Sequence, residues 1–333
     1  MTSRPATTTA APFTVDHLLP DGYFDAALRA DARAGLTSAP KSLPPRWFYD
    51  ARGSELFEEI TRLKEYYPTR AEREILKTRS PDIAEATRAR TLVELGSGSS
   101  EKTRLLLDAL AGAGALAGYV PVDVSESALT QAAASLREDF PRLAVHAQIA
   151  DFQEHLGLGD DVEGPRLLAF LGGTIGNLEP ADRAVFFRRV AAALRPEDAL
   201  LLGTDLVKDP EIHIAAYDDA AGVTAEFNKN VLTVLNRELD AAFDPDAFSH
   251  VAVWDAEREW IEMRLRARED QTVKVRGLDL AVSFERGEEL RTEVSAKFRR
   301  EGIRAELERA GLALRHWWTD AAGRYALSLA GPN

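Results

Sequence analysis

Cysteine is absent from the 333 residues, and with it go disulfides, thiolate nucleophiles, iron–sulfur clusters and cysteine-based zinc sites. No uninterrupted apolar run approaches the roughly 20 residues that span a bilayer, although 45% of the chain is hydrophobic. Positive charge is in deficit: 41 Lys and Arg face 54 Asp and Glu, a formal charge of −13. That balance repels nucleic acid and anionic membrane surfaces and points to a small-molecule partner. The six histidines, His17, His146, His155, His213, His250 and His316, have no His-Glu-x-x-His or comparable spacing, so no catalytic metal is expected. The N-terminus mixes Thr, Ala and Pro without the apolar segment of a signal peptide, so residues 1–16 are expected to be a disordered tail on a cytoplasmic protein.

The central third has a βαβ rhythm. Residues 92–95, 118–122, 167–171 and 199–202 are continuous apolar runs of strand length, as in a parallel sheet buried on both faces, with a weaker strand over 143–149. Helical patterns lie between them over 102–110, 126–136 with Ser125 as N-cap, and 181–194. Near the C-terminus a helix over 303–310 precedes two strand-like runs, 312–317 and 325–329, which predict a hairpin added at the sheet edge. Two regions break the rhythm, the first 78 or so residues and the stretch from about 207 to 298, which is helical over 212–237 and then strand-like. They are expected to form one lobe, residues 17–69 with 207–298, beside a sheet domain of 70–206 with 299–333.

After the first predicted strand comes Glu94-Leu95-Gly96-Ser97-Gly98-Ser99-Ser100-Glu101-Lys102, a glycine-rich turn that opens a helix. In a doubly wound sheet this is the ligand crevice, where glycine lets a ligand approach the backbone and the helix start offers free N–H groups. A tight turn without a ligand would read the same way. A dinucleotide fingerprint needs a third glycine where Glu101 stands, and Glu101 with Glu94 disfavours a pyrophosphate and suits a cationic or hydroxyl-bearing nucleoside. The second strand ends at Asp123, suited to accept from both ribose hydroxyls. The third ends at Asp151 and Phe152, suited to an exocyclic amine and a purine face. Each of these taken singly is equally readable as a strand-end cap.

In sequence order, Gly96, Ser97 and Gly98, then Asp123, then Asp151 and Phe152 resemble the cofactor motifs of the class I S-adenosylmethionine-dependent methyltransferases. The resemblance implies an α/β fold, a Rossmann-like doubly wound sheet with a C-terminal hairpin. It also implies S-adenosylmethionine held by its amino acid portion at the glycine turn and Lys102, by ribose at Asp123 and by adenine at Asp151 and Phe152. Longer segments narrow the match: 40–50 (PKSLPPRWFYD), 65–70 (EYYPTR), 170–177 (FLGGTIGN), 202–205 (LGTD), 216–219 (AYDD), 227–230 (FNKN) and 292–298 (TEVSAKF). Together they resemble the histidine-specific S-adenosylmethionine-dependent methyltransferase family over residues 35–329.

That second resemblance implies trimethylation of the α-amino group of free L-histidine to hercynine, a step of ergothioneine biosynthesis, by a monomer whose second α+β lobe closes the substrate against the cofactor. It places Asn177 and Tyr217 on the substrate carboxylate, the Gly172 carbonyl on the amine, and Glu293 with Ser295 on the imidazole. Tyr66 falls beside the reacting amine, with Tyr67 as the alternative, so that Tyr66 and Asn177 are the catalytic candidates. Tyr49 falls near cofactor or substrate. The chemistry suits these types: a carboxylate accepts from a ring N–H, a hydroxyl donates or accepts, i/i+2 spacing puts both on one strand face, and aromatic rings attract cations. A solvated strand face would show the same spacing. Gly173 departs from relatives with a small hydroxyl residue there, for which Thr174 is the expected substitute. Another amine N-methyltransferase, a silent cofactor-binding protein and a nicotinamide dehydrogenase are the alternatives.

Overall fold

In the computed structural model, which describes residues 12–98, 102–159 and 161–333, these patterns sort into two lobes. The chain begins with β1 (Phe13–His17), α1 (Tyr23–Thr37), β2 (Lys41–Ser42), α2 (Ala51–Arg62) and α3 (Pro68–Thr87). It continues through β3 (Thr91–Leu95), α4 (Thr103–Gly112), β4 (Gly118–Asp123), α5 (Glu126–Asp139), β5 (Ala144–Ile149), β6 (Arg166–Phe170), α6 (Pro180–Ala193) and β7 (Ala199–Asp205). Next come α7 (Pro210–Tyr217), α8 (Val223–Leu239), β8 (Phe248–Asp255), β9 (Trp260–Ala267), β10 (Gln271–Val275), β11 (Leu280–Phe284) and β12 (Glu289–Ala296). The chain ends with α9 (Arg300–Arg309), β13 (Leu312–Thr319) and β14 (Tyr325–Pro332).

The apolar strands β3, β4, β6 and β7 lie inside an eight-stranded sheet ordered β1-β5-β4-β3-β6-β7-β14-β13. Neighbours from β1 through β7 are parallel, while the C-terminal hairpin joins antiparallel through β14. Alternate residues feed opposite cores: Leu92, Tyr119 and Leu167 pack with Leu106 and Leu107 of α4, and Val93, Val120 and Leu168 with Phe187 and Val190 of α6. Strand order reverses at β3, which opens a crevice at the carboxyl ends of β3, β4 and β6.

The tail expected over residues 1–16 lies outside the described residues as far as residue 11, and beyond residue 12 the structure has a strand in its place. Phe13–His17 pairs with β5, and Phe13 and Val15 alternate inward against Leu129, Ala147 and Ile149. Two inward residues are too short a periodic signal to stand out. The second lobe is built on a sheet ordered β2-β12-β9-β8 and covered by α1, α2 and α8. Its core includes Leu36, Phe48, Leu56, Phe227, Val231, Leu235, Phe248, Met263 and Leu265. Strand β12 joins the lobes, since Leu290 belongs to this core while Val294 and Ala296 pack against the large sheet. Glu293 and Ser295 therefore ride on the seam. Among the described residues no helix is long and apolar enough to cross a membrane.

One close approach tightens the crevice. A Cβ on Gly203 of β7 would lie 2.3 Å from Glu72 Oε1 and 2.7 Å from the Tyr325 hydroxyl, both buried and both bonded to each other. Gly203→Ala is expected to cost about 1–3 kcal/mol through overpacking, read as a lower midpoint in denaturant titration with an unchanged slope.

Candidate active site

Gly96 and Gly98 have φ of +66° and +49°, left-handed values that a side chain disfavours. They carry the chain from β3 over the tip of β4, where the Gly98 N–H donates to Asp123 Oδ2 at 3.0 Å and the Ser125 N–H to Oδ1 at 2.9 Å. Burial nevertheless pushes the Asp123 carboxyl above its ordinary range, against those bonds. The Ser97 hydroxyl is buried with no hydrogen-bond partner among the described residues. Ser99, Ser100 and Glu101, and with them the sequence argument against a pyrophosphate, lie outside the described residues.

Two acidic residues under the turn serve the protein itself. Glu94 does not face a ligand: it accepts from Thr103 Oγ1 at 2.6 and 2.7 Å and from the Tyr119 hydroxyl at 2.5 Å, and burial pushes its carboxyl up to about 7. Glu72, on α3, is fully buried, accepting from the Gly172 N–H and the Tyr325 hydroxyl at 2.8 Å each and from the Lys102 ammonium. Lys102 thus spends its charge on Glu72 beneath the turn.

At the other end of the crevice Asp151 accepts from the Gln153 N–H at 2.8 Å through Oδ1. Its Oδ2 takes the Tyr23 hydroxyl at 2.9 Å and Arg46 Nη1 at 3.2 Å. Arg46 also pairs with Asp31 at 2.6 Å, so the N-terminal segment is clasped over Asp151. Phe152 packs on Phe170 with ring centroids 5.0 Å apart.

The candidate substrate residues meet where β6 and β12 face each other. Gly172 and Gly173 turn the chain with φ of +78° and +74°, into the short helix Thr174–Asn177. Consecutive left-handed positions favour glycine at 173 whatever a hydroxyl would have contributed, and the Thr174 hydroxyl points back to the Leu171 carbonyl at 3.4 Å. Asn177 Nδ2 donates to Glu293 Oε1 at 2.9 Å and to the Val294 carbonyl at 2.8 Å. Burial pushes the Glu293 carboxyl up to about 7, opposed by that hydrogen bond and by the charge of Lys297. Ser295 Oγ accepts from the Tyr217 hydroxyl at 2.8 Å.

The two adjacent tyrosines part company here. The Tyr67 hydroxyl donates to Asp205 at 2.8 Å and receives from Lys208 at 2.6 Å, inside a buried cluster that includes His213. The Tyr66 hydroxyl makes no hydrogen bond to the described residues, while its ring lies edge-on to Tyr217 and Phe57 at 6.4 and 6.1 Å. Tyr49, 48% exposed, sets its ring 5.5 Å from both Phe57 and Phe227, within electrostatic reach of Glu293 and Asp123. A rim of aromatic faces therefore joins the turn at Asp123 to the seam at Glu293.

A family model described as a histidine-specific, S-adenosylmethionine-dependent methyltransferase matches residues 28–332. The chain belongs to that family. It is 60% identical over 304 residues to the histidine N-alpha-methyltransferase of Mycolicibacterium smegmatis, covering 91% of this chain and 94% of that one. Against the histidine N-alpha-methyltransferase of Mycobacterium tuberculosis the identity is 56% over 306 residues, with 91% and 94% covered. The ergothioneine biosynthesis protein 1 of Neurospora crassa is 33% identical over 201 residues, which span 59% of this chain and 23% of that longer one. The methyltransferase is thus an enzyme of the S-adenosylmethionine-dependent class, and the dehydrogenase alternative is excluded.

The turn suits that cofactor. A buried hydroxyl left without a partner costs about 1–3 kcal/mol, and Ser97 stands between two glycines on which a Cβ would meet none of the described residues within 4 Å. A carboxylate and amine at the end of a nucleoside would use that hydroxyl and the neighbouring N–H groups. Among the described residues no group of three or more His, Asp or Glu is placed to hold a metal ion. Five polar residues of the site have no role in the sequence analysis: Tyr23, Arg46, Glu72, Asp205 and Lys297. Asp205 ends the 202–205 segment, Arg46 lies inside 40–50, and Lys297, next to last in 292–298, repeats the i/i+2 spacing of Glu293 and Ser295. Tyr23 and Glu72 carry no local signal.

Proposed function

We propose that the methyltransferase trimethylates the α-amino nitrogen of L-histidine to hercynine, with residues 70–206 and 299–333 holding the cofactor and residues 17–69 and 207–298 covering the substrate. The observation that carries the reading is the 2.9 Å hydrogen bond from Asn177 to Glu293, which sets an amino acid anchor of the sheet lobe beside an imidazole acceptor on the seam strand. When bound, S-adenosylmethionine supplies an electrophilic methyl group on a sulfonium.

Gly96, Ser97 and Gly98 take the cofactor's amino acid end, Asp123 its ribose, and Asp151 with Phe152 its adenine, while Lys102 acts through Glu72. Asn177 spends both amide hydrogens on the chain, so on histidine binding one of them turns from Glu293 to the substrate carboxylate, while Tyr217, whose one proton goes to Ser295, serves the imidazole side instead. Glu293 then accepts from the imidazole N–H and the Gly172 carbonyl from the amine. A peptide α-amino group has a pKa of about 8, and burial beside a cation lowers it further, so no strong base is needed. Tyr66 supplies none: burial holds its phenol well above the ordinary value, so it stays protonated at neutral pH and its oxygen orients the amine. Tyr49, Phe57, Tyr66 and Phe227 face the growing ammonium with their rings.

Mass spectrometry of single amino acids incubated with enzyme and S-adenosylmethionine is the test. Trimethylated histidine alone is the expected product; methylation of tryptophan or another amine instead overturns the imidazole role of Glu293. The tyrosines give a second check. Tyr66→Phe is expected to lower kcat about tenfold with the melting temperature held, whereas Tyr67→Phe strips a donor from buried Asp205 and costs about 1–3 kcal/mol of stability.

A further inference from the structure

Lys297 lies two residues beyond Ser295 and its side chain is 0% exposed. Its ammonium has three hydrogens and three acceptors: Asp205 Oδ2 at 2.9 Å, Ser295 Oγ at 2.9 Å and the Tyr217 hydroxyl at 3.0 Å. An ammonium never accepts, so each of these bonds has one direction. Tyr217, receiving from Lys297, passes its own proton to Ser295 Oγ at 2.8 Å. Ser295 Oγ therefore accepts twice, which uses both lone pairs. Its proton is all it has left for a ligand. Beside it, Glu293 gives Oε1 to Asn177, and Oε2 takes no hydrogen bond from the described residues.

We propose that Lys297 is a specificity-determining positioning residue that fixes Ser295 as a hydrogen-bond donor, so that the pocket accepts a ring with one N–H and one bare nitrogen, the neutral imidazole. The inference deepens the histidine reading and rests on it. A ring with N–H at one position and C–H at the other, as in pyrrole or indole, leaves the Ser295 proton unpaired, and imidazolium sets two donors against each other. Without Lys297, nothing fixes the direction of the Tyr217–Ser295 bond, and Ser295 can give its proton to Tyr217, whose own proton is then free for the substrate carboxylate. The hydroxyl then turns away and the discrimination is lost.

The test compares kcat/KM for histidine with that for 3-(pyrrol-2-yl)alanine and 3-(pyrrol-3-yl)alanine, which keep a ring N–H and lack the bare nitrogen at one or the other position. The wild type is expected to prefer histidine over the better pyrrole by about 10- to 100-fold, the loss from one unpaired buried donor. Lys297→Met is expected to bring that ratio within about threefold, by raising KM for histidine while the pyrrole constants hold. A merely structural role would lower both substrates together and leave the ratio intact. Because Lys297→Met takes one of two ammonium partners from buried Asp205, which keeps Lys208 at 2.6 Å, Asp205→Asn/Lys297→Met removes that ion pair whole and is assayed alongside, with the thermal shift on adding S-adenosylmethionine reporting a folded cofactor site. A ratio that survives in both variants while Ser295→Ala abolishes it overturns the role of Lys297 and leaves the histidine reading standing. Unchanged histidine kinetics in Ser295→Ala and Glu293→Ala alike would remove both.

Discussion

Glu293→Ala is expected to lower kcat/KM for histidine by about 10- to 100-fold while the dissociation constant for S-adenosylmethionine stays within about twofold. The asymmetry follows from position. Glu293 sits on the seam strand, bonded to Asn177 rather than to the turn that Asp123 supports. In the complex Asn177 has turned to the substrate carboxylate, so losing the buried Glu293 carboxylate leaves the imidazole N–H without its acceptor, and a bond to a charged group is worth about 1.5–3 kcal/mol. Steady-state kinetics and calorimetry on the purified variant check both halves; unaltered histidine kinetics would sink the assignment.

The same residue sets a pH dependence. With its carboxyl pushed up to about 7, Glu293 is a carboxylate only above that pH. Protonation removes the charge that strengthens its bond to the imidazole N–H, so histidine affinity by calorimetry should rise with pH and level off above about 7. In the unliganded protein the sign for stability is opposite. The folded carboxyl keeps a proton that the unfolded one, with an ordinary value of 4.5, has released, so Glu293 costs stability progressively as pH climbs from there towards about 7. Part of the fold's stability is given up for an acceptor that histidine then satisfies.

Asp123→Ala is expected to produce the mirror image, weakening S-adenosylmethionine binding by about 10²-fold. Both Asp123 oxygens accept backbone N–H groups, from Gly98 and Ser125, so the variant removes a ribose acceptor and the anchor of the glycine turn at once. Any rise in KM for histidine should disappear when the cofactor is saturating. Equal losses of both ligands would mean that Asp123 holds the two lobes together rather than one site.

Much of this enzyme was legible in one dimension. Apolar runs of strand length at β3, β4, β6 and β7 can only be buried on both faces of a parallel sheet, and the acidic residues at their carboxyl ends fall in the crevice by topology. Leu36, Phe48 and Leu56 of the first arrhythmic stretch share a core with Phe227, Phe248 and Leu265 of the second. Residue types at strand tips are local facts, and sequence carries local facts well.

What only the tertiary structure decided is direction and partnership. Tyr66 and Tyr67 are indistinguishable as neighbours, and just the packing of α3 against β7 sends one hydroxyl into the Asp205 cluster and leaves the other unbonded. Arg46 and Tyr23 reach Asp151 across 105 and 128 residues, and Glu72 reaches Gly172 across 100. Arg166 has the composition of a surface residue yet is 2% exposed, because Asp198 accepts from its Nε and Nη2 at 2.9 and 2.6 Å. Such pairings depend on which charges the fold desolvates together. The sequence determined which chemistry this protein carries and at which strand ends; the fold determined which donor meets which acceptor, because a hydrogen bond's direction depends on every neighbour that competes for it.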